Sequence, residues 1–429
     1  MKKLIVFSAD AMVSEDLEHL KQLPNYRRYL AGASEVTRVR SVYPTITYPC
    51  HTTMCTGVWP EKHRVPGNLE FIPGRSPLPW LWDRKWNKWP HDIFFSAKQG
   101  GYSTAAVFWP VTGNHPAIDY LIDEYWTQGP DDTPRAAYAR MGSDERMLKI
   151  VDRHIRDNRI RTHPETDFFI MGCTLDILRE YQPDVLFLHP ANIDAYRHHH
   201  GIFNDHVRNG IEETDAWIGA IMEVLNDLGI REQTNFVLTS DHGQMNIDRV
   251  VNINVLLQEA GLIRLNADGS LASWDAWCLS GGMSALVHLK DPANKAVYEK
   301  TRDLLSFLCQ EGVYGFSRVL TAEEAWREEH LDGDFSFVLE TDGYTSFGDS
   351  CVRPLVRNFD ITDYRYGHAT HGYLPVKGPQ PIFLCKGPDF RENVVIPEGR
   401  LIDQAPTYAK LLGVELPGAD GVPMDALLR

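Results

Sequence analysis

Short apolar or β-branched runs recur along the chain, and each ends in polar residues. They are LIVFSAD (4–10), STAAVFWP (103–110), DVLFLHPANID (184–194), NFVLTSDHG (235–243) and PQPIFLCKG (379–387). Between them lie helix-like stretches. Asp144 to Asn158 is one, and Asn209 to Leu228 is another, with Ile211, Trp217, Ile218, Ile221, Met222 and Leu225 near helical spacing. Buried runs alternating with helices predict an α/β fold, a mostly parallel central sheet with helices on both faces. Ligands of such sheets lie beyond the carboxyl ends of the strands, and Asp10, Asp194 and Asp241 are expected there, immediately after their strands.

From about 250 to 365 the pattern changes. Turn signals (Asn266-Ala-Asp-Gly269, Asp332-Gly-Asp334, Asp342-Gly343), an amphipathic helix near 293–311 and short alternating strands such as SALVHLK (284–290) predict a smaller α+β insertion. It would cap a site built by a core of residues 1–249 and 366–429. Trp80, Trp82, Trp86 and Trp89 read either as a substrate wall or as packing beneath a loop. No internal repeat or low-complexity tract is visible. The opening MKKLIVFSADAM has too short an apolar run for a signal peptide and reads as a buried first strand. No run approaches the ~18 apolar residues of a membrane span, so none is expected.

The net charge of −15 over 429 residues argues against a nucleic-acid duplex or an anionic membrane as partner. An anionic small molecule stays admissible, because a bound cation reverses the sign locally. Seven cysteines at irregular spacing, without a CxxC pair, predict reduced thiols and a cytoplasmic location. Oligomeric state is left open.

The candidate chemistry is metal chemistry. Asp194 and His198 form D-x-x-x-H, which on a helix places both on one face, whereas the adjacent His199 and His200 point elsewhere. Asp241-His242-Gly243 ends a strand, and His371 lies in HATHGYLP. His368 nearby reads as a neighbour or a solvent-exposed residue rather than a ligand. Mixed carboxylate and imidazole donors suit zinc or manganese better than calcium or magnesium. Asp10, Asp194, Asp241, His198, His242 and His371 are too many for one open tetrahedral zinc but divide between two metals. Two metals ~4 Å apart clamp the attacking and leaving oxygens of an in-line displacement at phosphorus. The threonine-rich YPTITYPCHTTMCTG (43–57) offers hydroxyl nucleophiles, and spacing alone does not choose among Thr45, Thr47, Thr52, Thr53 and Thr56. Thr52 and Thr53 are expected to cap or begin a helix, and Tyr48 to line a leaving-group pocket or to pack against the sheet.

Thr47-Tyr48-Pro49-Cys50-His51, then Thr56-Gly57-Val58-Trp59-Pro60-Glu61-Lys62-His63, then Asn68 resemble the T-F-P-N-H, T-G-x-x-P-E-x-H-G and asparagine of one family. That family is the nucleotide pyrophosphatase/phosphodiesterase branch of the alkaline phosphatase superfamily. The resemblance continues in the same order through AAVFWP (105–110), the D-x-x-x-H, SDHG (240–243) and THGY (370–373), almost the whole chain. It implies an alkaline-phosphatase-like fold and hydrolysis of phosphodiester or phosphoanhydride bonds of a small phosphate ester or nucleotide. It also implies Thr47 as nucleophile, through a phospho-threonine, with two zinc ions. Asp10, Thr47, Asp241 and His242 would hold one ion, and Asp194, His198 and His371 the other. Asn68 would donate to a phosphoryl oxygen. Cys50 stands where the family has asparagine, and Arg64 where it has glycine. The sulfatase pattern C-x-P-x-R does not follow Cys50. A phosphonoacetate hydrolase would share the metal set but needs cations for a carboxylate, with Arg64, Lys98 and Arg353 as candidates. An inactive metal-binding relative is the non-enzymatic alternative.

Overall fold

A computed structural model describes residues 1–155 and 162–429 of the chain. Its main sheet contains β1 (Lys3–Ser8), β2 (Ser34–Arg40), β3 (Thr104–Val107), β4 (Tyr120–Ile122), β5 (Val185–Leu188), β6 (Thr234–Thr239), β7 (Phe383–Lys386) and β8 (Val395–Arg400). The spatial order is β8-β2-β7-β6-β1-β5-β3-β4. Every neighbouring pair is parallel except the two made by β7, which runs against both β2 and β6.

Central strands carry consecutive apolar residues, at 4–7, Val185–Leu188 and 236–238, because both faces are covered. Ile5, Phe7, Leu186, Leu188 and Leu238 face a core shared with the helices Glu145–His154, Glu165–Tyr181 and Asp205–Asp227. Leu4, Val6, Val185, Phe187 and Val237 face the opposite core, built with the helices Ile93–Gln99 and Gln404–Leu412. The helix predicted from Asp144 starts at Glu145, capped by Asp144, and its expected end at Asn158 lies outside the described residues. Among the described residues no helix is long and apolar enough to cross a membrane.

A second, antiparallel sheet joins Ala276–Ser280, Ser284–Leu289, Phe337–Thr341 and Phe316–Thr321, with the helix Lys295–Glu311 packed against it. The strand Ser284–Leu289 does not alternate between core and solvent: all six residues are buried. Ala285, Val287 and Leu289 meet one apolar cluster, and Leu286 meets another that includes Tyr43 and Leu374. This sheet is therefore covered on both sides, one of them in part by Tyr43 and Leu374 from outside 250–365.

Phe187 is fully buried at the centre of the main sheet, with ring contacts to Phe94 (5.0 Å), Trp109 (4.8 Å) and Tyr408 (5.7 Å). Phe187→Ala is expected to cost about 3–5 kcal/mol in equilibrium urea unfolding.

Candidate active site

β1 and β6 are hydrogen-bonded in parallel with Ser8 opposite Thr239. Two residues beyond each lie Asp10 and Asp241, so the register alone delivers two buried carboxylates side by side. Asp194 arrives differently from the sequence expectation. β5 ends at Leu188, and Asp194 sits in the first turn of helix α2 (Asn192–His200). The residue that directly follows β5 is His189, whose Nε2 lies 2.9 Å from Asp10 Oδ2 and whose Nδ1 lies 3.2 Å from the Phe108 carbonyl. Local sequence gave His189 no signal; only the level of the strand ends brings it to Asp10.

The helix places Asp194 and His198 on one face, with Asp194 Oδ2 3.0 Å from His198 Nε2. His198 Nδ1 donates to the Ala369 carbonyl at 2.7 Å, which leaves Nε2 with a lone pair aimed at a carboxylate. Gln244 donates to the Asp194 side chain and, at 3.0 Å, to its carbonyl. The segment bearing His371 crosses the end of this helix closely: a Cβ on Gly367 would fall 2.3 Å from the His198 carbonyl oxygen. The rings of His371 and His242 stack at 4.1 Å, and His198 is 5.3 Å from His371. His199 lines the cavity, His200 stacks on His206 at 3.7 Å, and His368 rests against Phe359.

Thr47 opens helix α1 (Thr47–Thr56), two positions before a proline that a first turn tolerates because its missing N–H would be unpaired there. The helix starts earlier than the sequence suggested, which corrects the capping role expected of Thr52 and Thr53. Both lie mid-helix. Thr52 Oγ1 donates to the Tyr48 carbonyl at 2.7 Å, and Thr53 Oγ1 meets His63 Nε2 at 3.0 Å. These hydroxyls are satisfied locally, and β-branched residues fill a fully buried helix. Thr47 Oγ1 instead lies 3.2 Å from His242 Nε2. That nitrogen is 3.2 Å from Asp241 Oδ2 and 3.7 Å from Asp10 Oδ1. His51, missed as a site residue by the sequence reading, props this corner. Its Nδ1 donates to the Thr47 carbonyl at 2.9 Å and lies 3.4 Å from Asp241 Oδ2, while Nε2 accepts from Ser8 Oγ at 2.9 Å.

Asn68 Oδ1 accepts from the Tyr48 N–H at 2.9 Å, which turns the amide nitrogen toward the cavity. Tyr48 itself is fully buried in a cluster with Val65, Leu81 and Trp82, so it packs rather than lines the pocket. Cys50 is fully buried, its Sγ 3.1 Å from Ser41 Oγ, away from the cavity. Arg64 ends the helix Pro60–His63 with a φ of 60°, the left-handed position that glycine favours, and its guanidinium pairs with Asp332 and Asp334. Of the four tryptophans singled out, Trp80 lines the cavity, and it contacts Trp126 and Tyr364.

Asp10 and Asp241 have no lysine or arginine among the described neighbours that set their charge. Burial, then Asp194 and Glu124, push the Asp10 carboxyl well above its usual range, and burial with Asp10 does the same to Asp241. Burial also tends to raise Asp194, but the neighbouring His198, His371 and His242 outweigh it and hold that carboxyl well below its ordinary value. Burial depresses His242 to about 4 and pushes His371 well down, so both offer neutral nitrogens. Asp10 Oδ1, Asp241 Oδ2, His198 Nε2 and His371 Nδ1 are buried without a hydrogen-bond partner. Unpaired, buried lone pairs of this type fit divalent cations. Among the described residues two groups converge closely enough to hold one: Asp194, His198 and His371, and Asp10, Asp194 and His242. Asp194 is common to both groups, whereas the resemblance implies two separate sets of ligands. A cavity of about 920 Å³ opens over these residues, walled by Asn68, Trp80 and Tyr364 and by Leu271, Trp277 and Leu279 of the 250–365 stretch.

Gly367→Ala is expected to destabilise the chain by roughly 1–3 kcal/mol and to weaken metal retention against a chelator, because the clashing atom is backbone and carries His198 with it. Urea unfolding and metal analysis after dialysis check both effects.

A sequence model of the family described as "Type I phosphodiesterase / nucleotide pyrophosphatase" matches residues 4–373. An ectonucleotide pyrophosphatase/phosphodiesterase of Caenorhabditis elegans, C27A7.3, is 23% identical over 426 residues, 96% of this chain and 47% of its own length. Venom phosphodiesterase 2 of Crotalus adamanteus is 23% identical over 410 residues, 91% of this chain and 43% of its own. Family member 1 of Mus musculus is 23% identical over 269 residues, 61% of this chain and 26% of its own. The chain thus spans a quarter to a half of the length of these relatives. Murine ectonucleotide pyrophosphatase/phosphodiesterase 5, solved as an inactive variant in complex with AMP, superposes with a TM-score of 0.68 at 19% identity over 100% of both chains. The human counterpart gives 0.70 at 18% identity, again over 100% of both. The fold is accordingly that of the alkaline-phosphatase-like proteins, and the chain belongs to the type I phosphodiesterase/nucleotide pyrophosphatase family.

Proposed function

We propose that the protein hydrolyses a phosphodiester or phosphoanhydride bond of a small phosphate ester or nucleotide, with Thr47 as nucleophile. One observation carries the reading: the Thr47 hydroxyl meets His242 Nε2, which itself lies against Asp10 and Asp241, at a cavity that Thr47, Asp10 and Asn68 line. When bound, two divalent cations, assigned as zinc with manganese as substitute, would supply Lewis-acid charge to the phosphoryl oxygens and acidify the hydroxyl. Asp10, Asp241, His242 and Thr47 would hold one, and Asp194, His198 and His371 the other, with Asp194 close enough to serve both.

Within this scheme Thr47 Oγ1 forms a bond to phosphorus as the bond to the leaving alcohol or phosphate breaks. Water then attacks the phospho-threonine in line, restoring the hydroxyl. One water is consumed and one proton released for each bond cleaved. Helix α1 points its N-terminus, with its partial positive charge, at the phosphoryl group. Asn68 donates from its amide to a non-bridging oxygen, an interaction that strengthens as charge builds there. His51 and His189 orient Thr47, Asp241 and Asp10 through their contacts to them.

The cations weighed for the phosphonoacetate alternative do not reach the cavity, although Arg75, Arg357 and Arg365 line it. Arg64, Lys98 and Arg353 are tied to Asp332 and Asp334, to Asp119 and to Glu259, and none lines the cavity. The 250–365 stretch serves as the cap in this reading. The seven unpaired cysteines fit a reducing, cytoplasmic setting.

Thr47→Ala is expected to abolish turnover of bis-p-nitrophenyl phosphate and p-nitrophenyl-TMP while metal content stays near wild type. Asp241→Asn is expected to lower both. Near wild-type turnover by Thr47→Ala would refute the nucleophile. Hydrolysis of phosphonoacetate but of neither ester would replace the reading with carbon–phosphorus cleavage, and a metal-loaded protein inert towards all three would point to a binding protein.

A further inference from the structure

Tyr364 belongs to none of the motifs read from the sequence, yet it lines the cavity together with Thr47, Asn68, His198 and His371. Its ring lies nearly parallel to that of His371, at 5.6 Å and 18°, and edge-on to His198 at 5.8 Å. The far side meets Trp80 at 5.4 Å. The phenol lies close enough to the Asn68 side chain to interact with it. With Asn68 Oδ1 engaged by the Tyr48 N–H, the amide nitrogen is positioned to donate to the Tyr364 oxygen. The phenol proton is thereby left for a second acceptor on the cavity side.

The tyrosine is also held still. It opens a short turn, Tyr364–Tyr366, whose next residue, Arg365, is paired with both Asp349 and Asp363. The Arg365 N–H donates to Asp363 Oδ1 at 3.0 Å, and Thr370 Oγ1 donates to the Tyr364 carbonyl at 3.0 Å. Tyr366 is buried with the Arg357 guanidinium 4.4 Å above its ring. A side chain this constrained is pre-set for its partner, and an electrostatic donor needs that to act without reorganising.

We propose that Tyr364 is a catalytic residue whose hydroxyl donates a hydrogen bond to a non-bridging phosphoryl oxygen beside the one reached by Asn68. The inference rests on the phosphoryl-transfer reading of this same site. It gives the chain a paired Asn–Tyr donor arrangement, the amide steering the phenol and both steering the phosphoryl group. A tyrosine phenol is protonated at neutral pH and so able to donate. The alternative role is ring stacking alone, which needs no hydroxyl.

Tyr364→Phe separates the two, because it keeps the ring and deletes the donor. With bis-p-nitrophenyl phosphate, kcat is expected to fall by about 10²-fold, the usual loss for one oxyanion donor, while KM changes by less than about twofold. Orthovanadate inhibition, which probes a trigonal-bipyramidal phosphoryl mimic, should weaken in parallel. Bound metal should match wild type. Wild-type kcat and wild-type vanadate affinity in Tyr364→Phe, with loss only in Tyr364→Ala, would overturn the proposal in favour of stacking. Loss of metal in Tyr364→Phe would also overturn it, since the hydroxyl would then serve only to hold the ligands. Should wild type cleave no diester, the function reading fails by itself. Calorimetric binding of inorganic phosphate to the metal-loaded protein then decides on Tyr364: weaker binding by the phenylalanine variant supports the contact, and equal binding removes it.

Discussion

Asp10 and Asp241 leave adjacent parallel strands at the same level, and neither can retreat without slipping the register of β1 against β6. A one-residue slip would turn every buried side chain of the strand to the wrong face, so the hydrophobic core itself enforces the proximity of two acids. Two like charges 4 Å apart repel by about 4 kcal/mol at an effective dielectric of about 20. Protons on the carboxyls relieve this in one state and cations in another. His189 and His51 limit how far the acids can turn away, through contacts to Asp10 Oδ2 and Asp241 Oδ2. Core packing and site chemistry are in this sense one constraint: the apolar sheet is what stabilises an arrangement that its own polar groups oppose.

The remaining donors come from less rigid places and are fixed by backbone contacts. His198 is oriented by the Ala369 carbonyl, and the segment carrying Ala369 and His371 approaches through Gly367, where no side chain fits. The loop that carries Asn68 reaches the second sheet, where Phe71 stacks on His288 at 3.6 Å and meets Trp274 at 5.7 Å. Farther along, the loop touches that region again, for a Cβ on Gly74 would fall 2.9 Å from Leu271 Cβ. Arg64 adds an ionic tie from the same side through Asp332 and Asp334. The second sheet thus acts on the site through the placement of Asn68, while Asp10, Asp241 and His242 follow strands of the main sheet and Asp194 and His198 lie on helix α2.

How much of this could be read from the sequence follows from how local each signal is. Asp10 and Asp241 were legible because an apolar run that ends in an acid locates a strand terminus by itself. Asp194 and His198 were legible because four-residue spacing has a fixed meaning on a helix, although the helix, rather than the strand end, carries Asp194. The start of helix α1 was not legible: threonines and prolines resemble caps and turns, and only burial on all sides makes them helical. The strand Ser284–Leu289 was misread as alternating because its second covering layer comes from Tyr43 and Leu374, distant in sequence. His189, His51 and Tyr364 had no pattern, since each matters only through a partner that the topology supplies.

The two departures from the family motif show how a site tolerates change at positions that look critical. Cys50 occupies a buried slot beside Ser41 and faces apolar neighbours, so a small, weakly polar side chain fits there without touching the cavity. Arg64 keeps a left-handed conformation that glycine adopts without cost, and any L-residue there carries roughly 1 kcal/mol of strain. Its guanidinium offsets part of that through Asp332 and Asp334, though the pairs are partly exposed and each contributes little. Neither substitution alters a donor, an acceptor or a charge within the cavity. The chemistry of the site is therefore insulated from the motif's variable positions by the same helix, α1, that presents Thr47: its N-terminus faces the cavity, and the side chains that vary lie along its buried flank and beyond its end.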